Sequence, residues 1–299
     1  MSKTVLITGA SGYIGRHLQQ RLAEKGYAIR TLTTQKINSN VEDCFYWNPE
    51  TGEVNKKAFE SVDYIIHLAG ASIGTHRWTE QRKKLIRESR VKSTELLFTK
   101  INLYKIPLKA FITASATGYY GSVTSDIIFD EESPAADDFL GNVCYDWEKT
   151  ADLFSNAGIR TVKIRTGVVF SKDAPALKKI LLPVKLGIGS PLGTGRQYMP
   201  WIHIEDLCNI YLRAIEDEGF SGAYNAVAPQ QITNREMMKT LAKIHHKPFW
   251  VPQVPAFVFK MMLGEMAVII LKGSRVVPKR LIDEGFLFQY TDITKLILS

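Results

Sequence analysis

The sequence predicts an α/β chain, a doubly wound parallel sheet with a smaller C-terminal α/β lobe. Three observations lead there. Strand-like and helix-like segments alternate through the first half. The strands read as near-continuous apolar runs, such as DYIIHLAG at 63–70, as expected of strands covered by helices on both faces. The first strand runs straight into three glycines spaced three apart, ITGASGYIG at 7–15, which open a helix.

Each element follows from its own pattern. TVLIT (4–8) is a strand, YIGRHLQQRLAEKG (13–26) a helix closing on Gly26, and YAIRTLTT (27–34) a second strand. A short strand around CFYW (44–47) precedes the buried run at 63–70. A long helix is expected over 79–100, then the strand LKAFITASA (108–116), a helix over 140–156 and the strand IRTVKIRTGVVF (159–170). Beyond Phe170 the Pro and Gly punctuation of LLPVKLGIGSPLGTGRQYMPWIH (181–203) predicts a loop-rich cap across the ligand mouth. GAYNAVAP (222–229) reads as one more sheet strand, followed by short helices and turns. Residues 1–170 and 205–230 then form the dinucleotide-binding part, and 171–204 with 231–299 a smaller substrate or cap lobe.

Composition narrows the function classes. At 299 residues, 45% hydrophobic and 23% charged, the chain is neither disordered nor fibrous. Its longest apolar stretches, such as MAVIIL (266–271), fall well short of a membrane span. The opening residues pass into a strand with no leader pattern, so the mature protein is expected to start there. Cys44, Cys144 and Cys208 lie far apart without CxxC spacing, which argues against a disulfide framework or a metal site and fits a reducing cytoplasm. The net charge of +8 reads as lysines and arginines spread along the chain, with no nucleic-acid motif. A small-molecule substrate, no nucleic acid, no membrane, and a monomer or homodimer are expected.

The glycine turn carries the functional signal. In a strand–turn–helix crossing, Gly9 permits the tight turn, Gly12 lets backbone approach a pyrophosphate, and Gly15 lets helix and strand pack closely. The helix N-terminus adds free amides and the positive end of its dipole, completing a Rossmann-like site. An NAD site expects an acid some 20 residues later for the ribose hydroxyls. Here stand Thr33, Thr34, Gln35 and Lys36, with Arg16 directly after the last glycine. That chemistry favours NADP, whose 2′-phosphate needs hydroxyls and cations, and leaves NAD as the alternative.

At TGASGYIG, HLAGASIG and SATGYYG the chain resembles the extended short-chain dehydrogenase/reductase superfamily of epimerases, dehydratases and reductases. RWTEQRKKLIRESRV, CYDWE, PLGTGRQYMPWIHIEDL and VVPKRLIDEGFLFQY resemble its atypical branch, an epimerase family sometimes labelled a cell-division inhibitor. The resemblance implies cofactor contacts at Gly9, Ser11, Gly12, Tyr13 and Ile14 for the pyrophosphate and at Thr33 and Thr34 for the adenosine ribose. It also implies Leu68, Ala69 and Gly70, with Val168 near the nicotinamide. Arg90 stands where ordinary members carry an asparagine, placed either to bind a cofactor phosphate or to pair on the helix surface.

Superfamily chemistry uses a Tyr and a Lys in a YxxxK pattern, and Tyr145 with Lys149 match it. At 100° per residue, however, Leu140, Val143, Cys144, Trp147, Ala151 and Phe154 form the apolar stripe, and both matching residues point to solvent. The family register instead puts Leu140 and Cys144 in the working positions. Four residues are candidate substitutes: Ser115 at a strand end, Tyr119 (or Tyr120) in the turn before Gly121, Glu148 if buried, and His203 beside Trp201. Arg196 and Gln197 either bind an anionic substrate or order their loop. Two functions compete: an NADP-dependent oxidoreductase or epimerase-like enzyme for a small polar carbonyl or carbinol, and a non-catalytic NADP-binding regulatory or sensor module.

Overall fold

The computed structural model describes residues 2–35 and 43–298, so Lys36 lies outside the described residues. β1 (Thr4–Thr8) leads to α1 (Tyr13–Glu24), β2 (Ala28–Thr33), β3 (Cys44–Asn48), the short β4 (Glu53–Val54) and β5 (Tyr64–His67). α2 (Glu80–Tyr104), β6 (Ala110–Ala116), β7 (Ile128–Phe129), α3 (Phe139–Asn156) and β8 (Arg160–Thr166) follow. The remainder includes β9 (Val168–Phe170), α4 (Pro175–Lys185), β10 (Trp201–His203), α5 (Ile204–Glu216), β11 (Gly222–Ala226), α6 (Asn234–Ile244), α7 (Ala256–Leu263) and β12 (Arg275–Val276), with short helical turns toward the end.

Among the described residues the main sheet has the order β11-β8-β6-β5-β1-β2-β3-β4, parallel throughout except for β4. Alternate side chains of the central strands feed two cores, because successive residues point to opposite faces. Val5, Ile7 and Ile112 pack with Leu18 and Leu22 of α1 and Ile210 of α5. Leu6, Ile65 and Phe111 meet Leu97 of α2 and Phe154 of α3 on the other face. The chain winds outward in one direction from β1 and in the other from β5. These two strands therefore flank the switch point, and the crevice beyond Thr8 and His67 is where such sheets bind ligands.

The run predicted as one strand at 159–170 is broken at Gly167. A Cβ there would lie 2.6 Å from the Pro200 carbonyl oxygen, so only glycine lets β9 turn out of the main sheet. β9 then pairs with β10 in a separate two-stranded sheet. The expected loop-rich cap contains a regular helix, α4, with Pro175 in its first turn and Pro183 inside it. Its apolar side, Leu177, Leu181 and Val184, packs against Met237, Met238 and Leu241 of α6, and that packing outweighs the proline penalty that suggested a loop.

The C-terminal segment returns to the main domain. β12 pairs with β7, Leu281 enters the α1–α5 core, Tyr224 donates to Glu284 at 3.0 Å, and Asp206 accepts from the amides of Gln289 (2.9 Å) and Tyr290 (3.0 Å). Among the described residues no helix is long and apolar enough to cross a membrane.

Candidate functional site

A cleft of about 1120 Å³ opens at the switch point, lined among others by Gly9, Ser11, Arg16, Thr33, Thr34, Ala69 and Gly70. Gly9 has φ +69°, and a Cβ on it would lie 2.8 Å from the carbonyl carbon of Leu68. At Gly15 a Cβ would meet the Gly9 oxygen at 2.5 Å, so α1 seats directly on the turn. α1 begins at Gly12 with no side-chain cap and no acid in its first turn. Its leading amides thus keep their hydrogen-bonding capacity and positive end for an anion. These features fit a dinucleotide pyrophosphate.

The far wall bears on the second phosphate. Thr33, Thr34 and Gln35 stand at the end of β2, and Arg16 donates to the Ser11 carbonyl at 2.6 Å while lining the same cleft. Two acids also line it, but Asp43 is paired with Arg30 (3.3 Å) and Glu50 with Lys92 (2.9 Å). Arg90 packs on Gly70, donates to the carbonyls of Ala71 (3.1 Å) and Ile86 (2.7 Å), and lies over the Trp147 ring. No carboxylate pairs with it among the described residues, so the surface ion pair considered for Arg90 is not formed.

Three residues of the implied cofactor set make contacts of their own within the fold. The Tyr13 phenol turns away from the glycine turn to meet Ser171 and Asp173, the latter at 2.8 Å, so only its backbone can face a phosphate. Burial pushes that phenol up to about 12. Ile14 packs into the α1–α5 core, and Val168 pairs with Trp201 in the β9–β10 sheet.

Beneath the cleft lies a residue that sequence reasoning missed. His67 is fully buried between Thr8 Oγ1 (2.7 Å) and Ser93 Oγ (3.0 Å). Ser93 gives its proton to the Ser89 carbonyl, so it accepts from His67 Nε2. Thr8 Oγ1 accepts from the amides of Leu68 and Ala69 (both 3.2 Å), so it donates to Nδ1. This assigns the neutral Nε2–H tautomer. Burial, with Arg90 nearby, lowers the imidazole to about 3. The network fixes the β5 exit against which Gly9 turns.

Ser115 and Glu148 come together at the end of β6. Both are 4% exposed, and Ser115 donates to Glu148 Oε1 at 2.7 Å. Arg165 of β8 grips the same carboxylate with Nε (2.8 Å) and Nη2 (2.9 Å), and its Nη1 donates to Tyr120 Oη at 2.8 Å. Tyr120 in turn donates to Asn225 of β11 at 2.7 Å. Burial works against the Arg165 charge, but the bonds to Glu148 outweigh it and hold that guanidinium above its ordinary pKa. Tyr119 lays its ring on Arg165, 3.5 Å from centroid to guanidinium carbon. Burial raises its phenol too.

Tyr145 and Lys149 are exposed, with Lys149 over the Tyr145 ring, as the helical geometry requires. Leu140 and Cys144 face Gly118 instead. His203 does not join Ser115: its Nδ1 accepts from the Glu205 amide at 3.3 Å, capping α5, and its ring stacks on Tyr290. Burial lowers it to about 4. Gln197 is buried, donating to the carbonyls of Leu192 (3.0 Å) and Ile270 (2.9 Å), which makes it a loop-ordering residue; Arg196 is exposed.

Comparison with known proteins agrees with this geometry. The family model described as NAD dependent epimerase/dehydratase family matches residues 5–226, and one described as a domain of unknown function matches 254–297. The epimerase family protein SDR39U1 homolog of Arabidopsis thaliana, a chloroplastic protein, is 38% identical over 96% of this chain and 83% of its own length. Epimerase family protein YfhF of Bacillus subtilis is 35% identical over 97% and 95%. The crystal structure of human SDR39U1 with NADPH superposes with a TM-score of 0.87 at 30% identity, covering 98% of this chain and 97% of that one. Agreement of this extent shows that the chain belongs to the NAD dependent epimerase/dehydratase family.

Proposed function

We propose that this protein binds NADP(H) at the β1–β5 switch point and serves hydride exchange with a small polar carbinol or carbonyl compound. The observation that carries the binding is the glycine cradle beneath an uncapped helix, facing a β2 end whose nearby acids are already paired. The human relative's structure holds NADPH, which supports NADP over NAD. When bound, the nicotinamide supplies the hydride-accepting or hydride-donating carbon. The chain's own groups hold the dinucleotide: α1 amides at the pyrophosphate and Arg16 with Thr33 and Thr34 at the ribose phosphate, while Arg90 orders the Gly70–Ala71 wall through the Ala71 carbonyl.

The Ser115 proton is committed to a carboxylate, which accepts only. Its oxygen therefore offers lone pairs, so it receives a hydrogen bond from a substrate hydroxyl and does not donate to a carbonyl. Glu148, held by Arg165, is the acceptor behind it. Calorimetric titration of folded, cofactor-free protein with NADP+ and NAD+ tests the binding. Selective NADP+ affinity that falls about ten-fold in Arg16→Ala is expected for a charge-assisted phosphate contact. Equal affinity for both cofactors refutes the assignment of Arg16, Thr33 and Thr34.

A second reading, a non-catalytic NADP(H)-responsive module, draws on the exposure of Tyr145 and Lys149 and the apolar Leu140 and Cys144 in their place. Oxidation of NADPH by any carbonyl panel member, lost in Ser115→Ala with NADP+ affinity intact, decides against it. Binding without turnover across the panel decides for it.

A further inference from the structure

Charge in this chain is unevenly apportioned. Residues 171–204 and 231–299 carry fifteen Lys or Arg against six Asp or Glu, a surplus of nine in a chain whose whole surplus is eight. The basic residues are spread along the chain, but outside this lobe they are balanced by acids, so the net surplus falls to the lobe. That lobe also exposes large apolar side chains: Leu182, Leu186, Ile188, Trp250, Phe257 and Met261 are between 56% and 73% exposed. α7 buries none of its eight residues.

These side chains share one run of surface. A Cβ on Gly187, just past α4, would touch the Pro248 ring at 3.9 Å, and one on Gly193 would reach Ala256 at the start of α7 at 3.9 Å. Between those points Gly193 donates to the Val254 carbonyl (2.9 Å) and Val254 to that of Pro191 (3.0 Å), so segment 187–193 runs beside 248–256. Lys185 lies close enough to His245 to lower its pKa, after burial. Lys179, Lys185, Lys247 and Lys260 flank the strip, and none has an ion-pair partner among the described residues.

From this juxtaposition we infer that the α4–α7 face docks on an anionic phospholipid surface. Unpaired lysines beside projecting Trp, Phe, Met and Leu side chains match a headgroup layer of phosphates over hydrocarbon. A fluid acyl layer closes around projecting side chains, whereas a folded protein must present a groove cut to them. With no helix able to span a bilayer, the attachment is peripheral and reversible.

The full chain carries its own reporter. Trp47, Trp78, Trp147 and Trp201 are buried, and Trp250 is 73% exposed. The protein is mixed with phosphatidylcholine vesicles, with and without about 30% phosphatidylglycerol, near 0.1 M salt. Co-flotation with the anionic vesicles only is expected, with a blue shift of emission and quenching by brominated acyl chains that are absent in Trp250→Ser. Phe257→Ser/Met261→Ser lowers partition at least about ten-fold, and each of Lys185→Gln and Lys260→Gln about five-fold. Unchanged far-ultraviolet circular dichroism and melting show that these surface variants fold. No flotation, equal flotation with neutral vesicles, or flotation without a Trp250 response overturns the inference. Capture by polyaspartate or nucleic acid in place of vesicles does so as well.

Discussion

Lowering the pH should destabilise this protein through one side chain. His67 is neutral in the folded state, with Nε2–H donated to Ser93 and Nδ1 accepting from Thr8. Protonation would put a second N–H on Nδ1, facing a Thr8 oxygen already occupied by the amides of Leu68 and Ala69. Burial and the nearby Arg90 charge oppose it further, placing the folded pKa at about 3 against an ordinary value of 6.5. The folded pKa is depressed, so above about 6.5 neither state binds the proton and the site has no linkage. As pH falls below that value the unfolded chain takes up a proton that the folded chain refuses, and stability is lost progressively until about pH 3. At about 1.4 kcal/mol per unit, the loss between pH 7 and 4.5 is about 2.5 kcal/mol. The assay is equilibrium urea unfolding of wild type and His67→Gln at both pH values. Glutamine cannot titrate, and every carboxylate, with the depressed His203, is common to both chains and cancels. Wild type should lose about 2.5 kcal/mol more than the variant on acidification. Parallel losses, within about 0.5 kcal/mol, would refute the neutral tautomer and the network built on it.

Three further outcomes follow from the geometry. Gly12→Ala brings a Cβ to 3.1 Å from the Gly9 oxygen and should weaken NADP+ binding at least about ten-fold with little change in melting temperature, whereas Gly15→Ala, at 2.5 Å, should cost about 1–3 kcal/mol of stability; calorimetry and thermal melts separate them. Glu148→Gln and Arg165→Met should each destabilise by about 3–5 kcal/mol, because each strands a buried charge, and the double variant should recover a substantial part in a denaturation cycle. Tyr145→Phe and Lys149→Ala should leave NADP+ affinity and stability within about 0.5 kcal/mol of wild type, and a larger effect would restore the YxxxK pair as a working dyad.

Local patterns were legible, and long-range pairings were not. The glycine turn, the buried strands and the outward aim of Tyr145 and Lys149 follow from spacing along one element. His67 gave no signal, because in YIIHLAG it reads as one polar residue in a core strand. Its partners come from β1 and α2, and only the sheet order brings them to it. The helix pattern alone leaves the burial of Glu148 open, and the adjacency of β6 and β8 settles it by enclosing the carboxylate between Ser115 and Arg165. One signal was there to be used: an arginine on an interior strand of a sheet covered on both faces, as Arg165 is in 160–166, needs an acid within reach. α4 was lost to its two prolines, and the capping and ring stacking of His203 leave no trace in composition.

The return of the last segment bears on how the chain is made. Translation delivers residues in order, and most of this sheet is in hand by residue 226. Leu281, Glu284 and the amides of Gln289 and Tyr290 emerge well after it, and they close contacts with α5, β11 and the first core. Until then the nascent chain presents a nearly complete nucleotide domain with an open flank. A truncated transcript or early release leaves apolar surface uncovered there, a natural mark for chaperones and proteases. Residues within 254–297, matched as a domain of unknown function, thus cover the flank of the nucleotide domain in the finished fold.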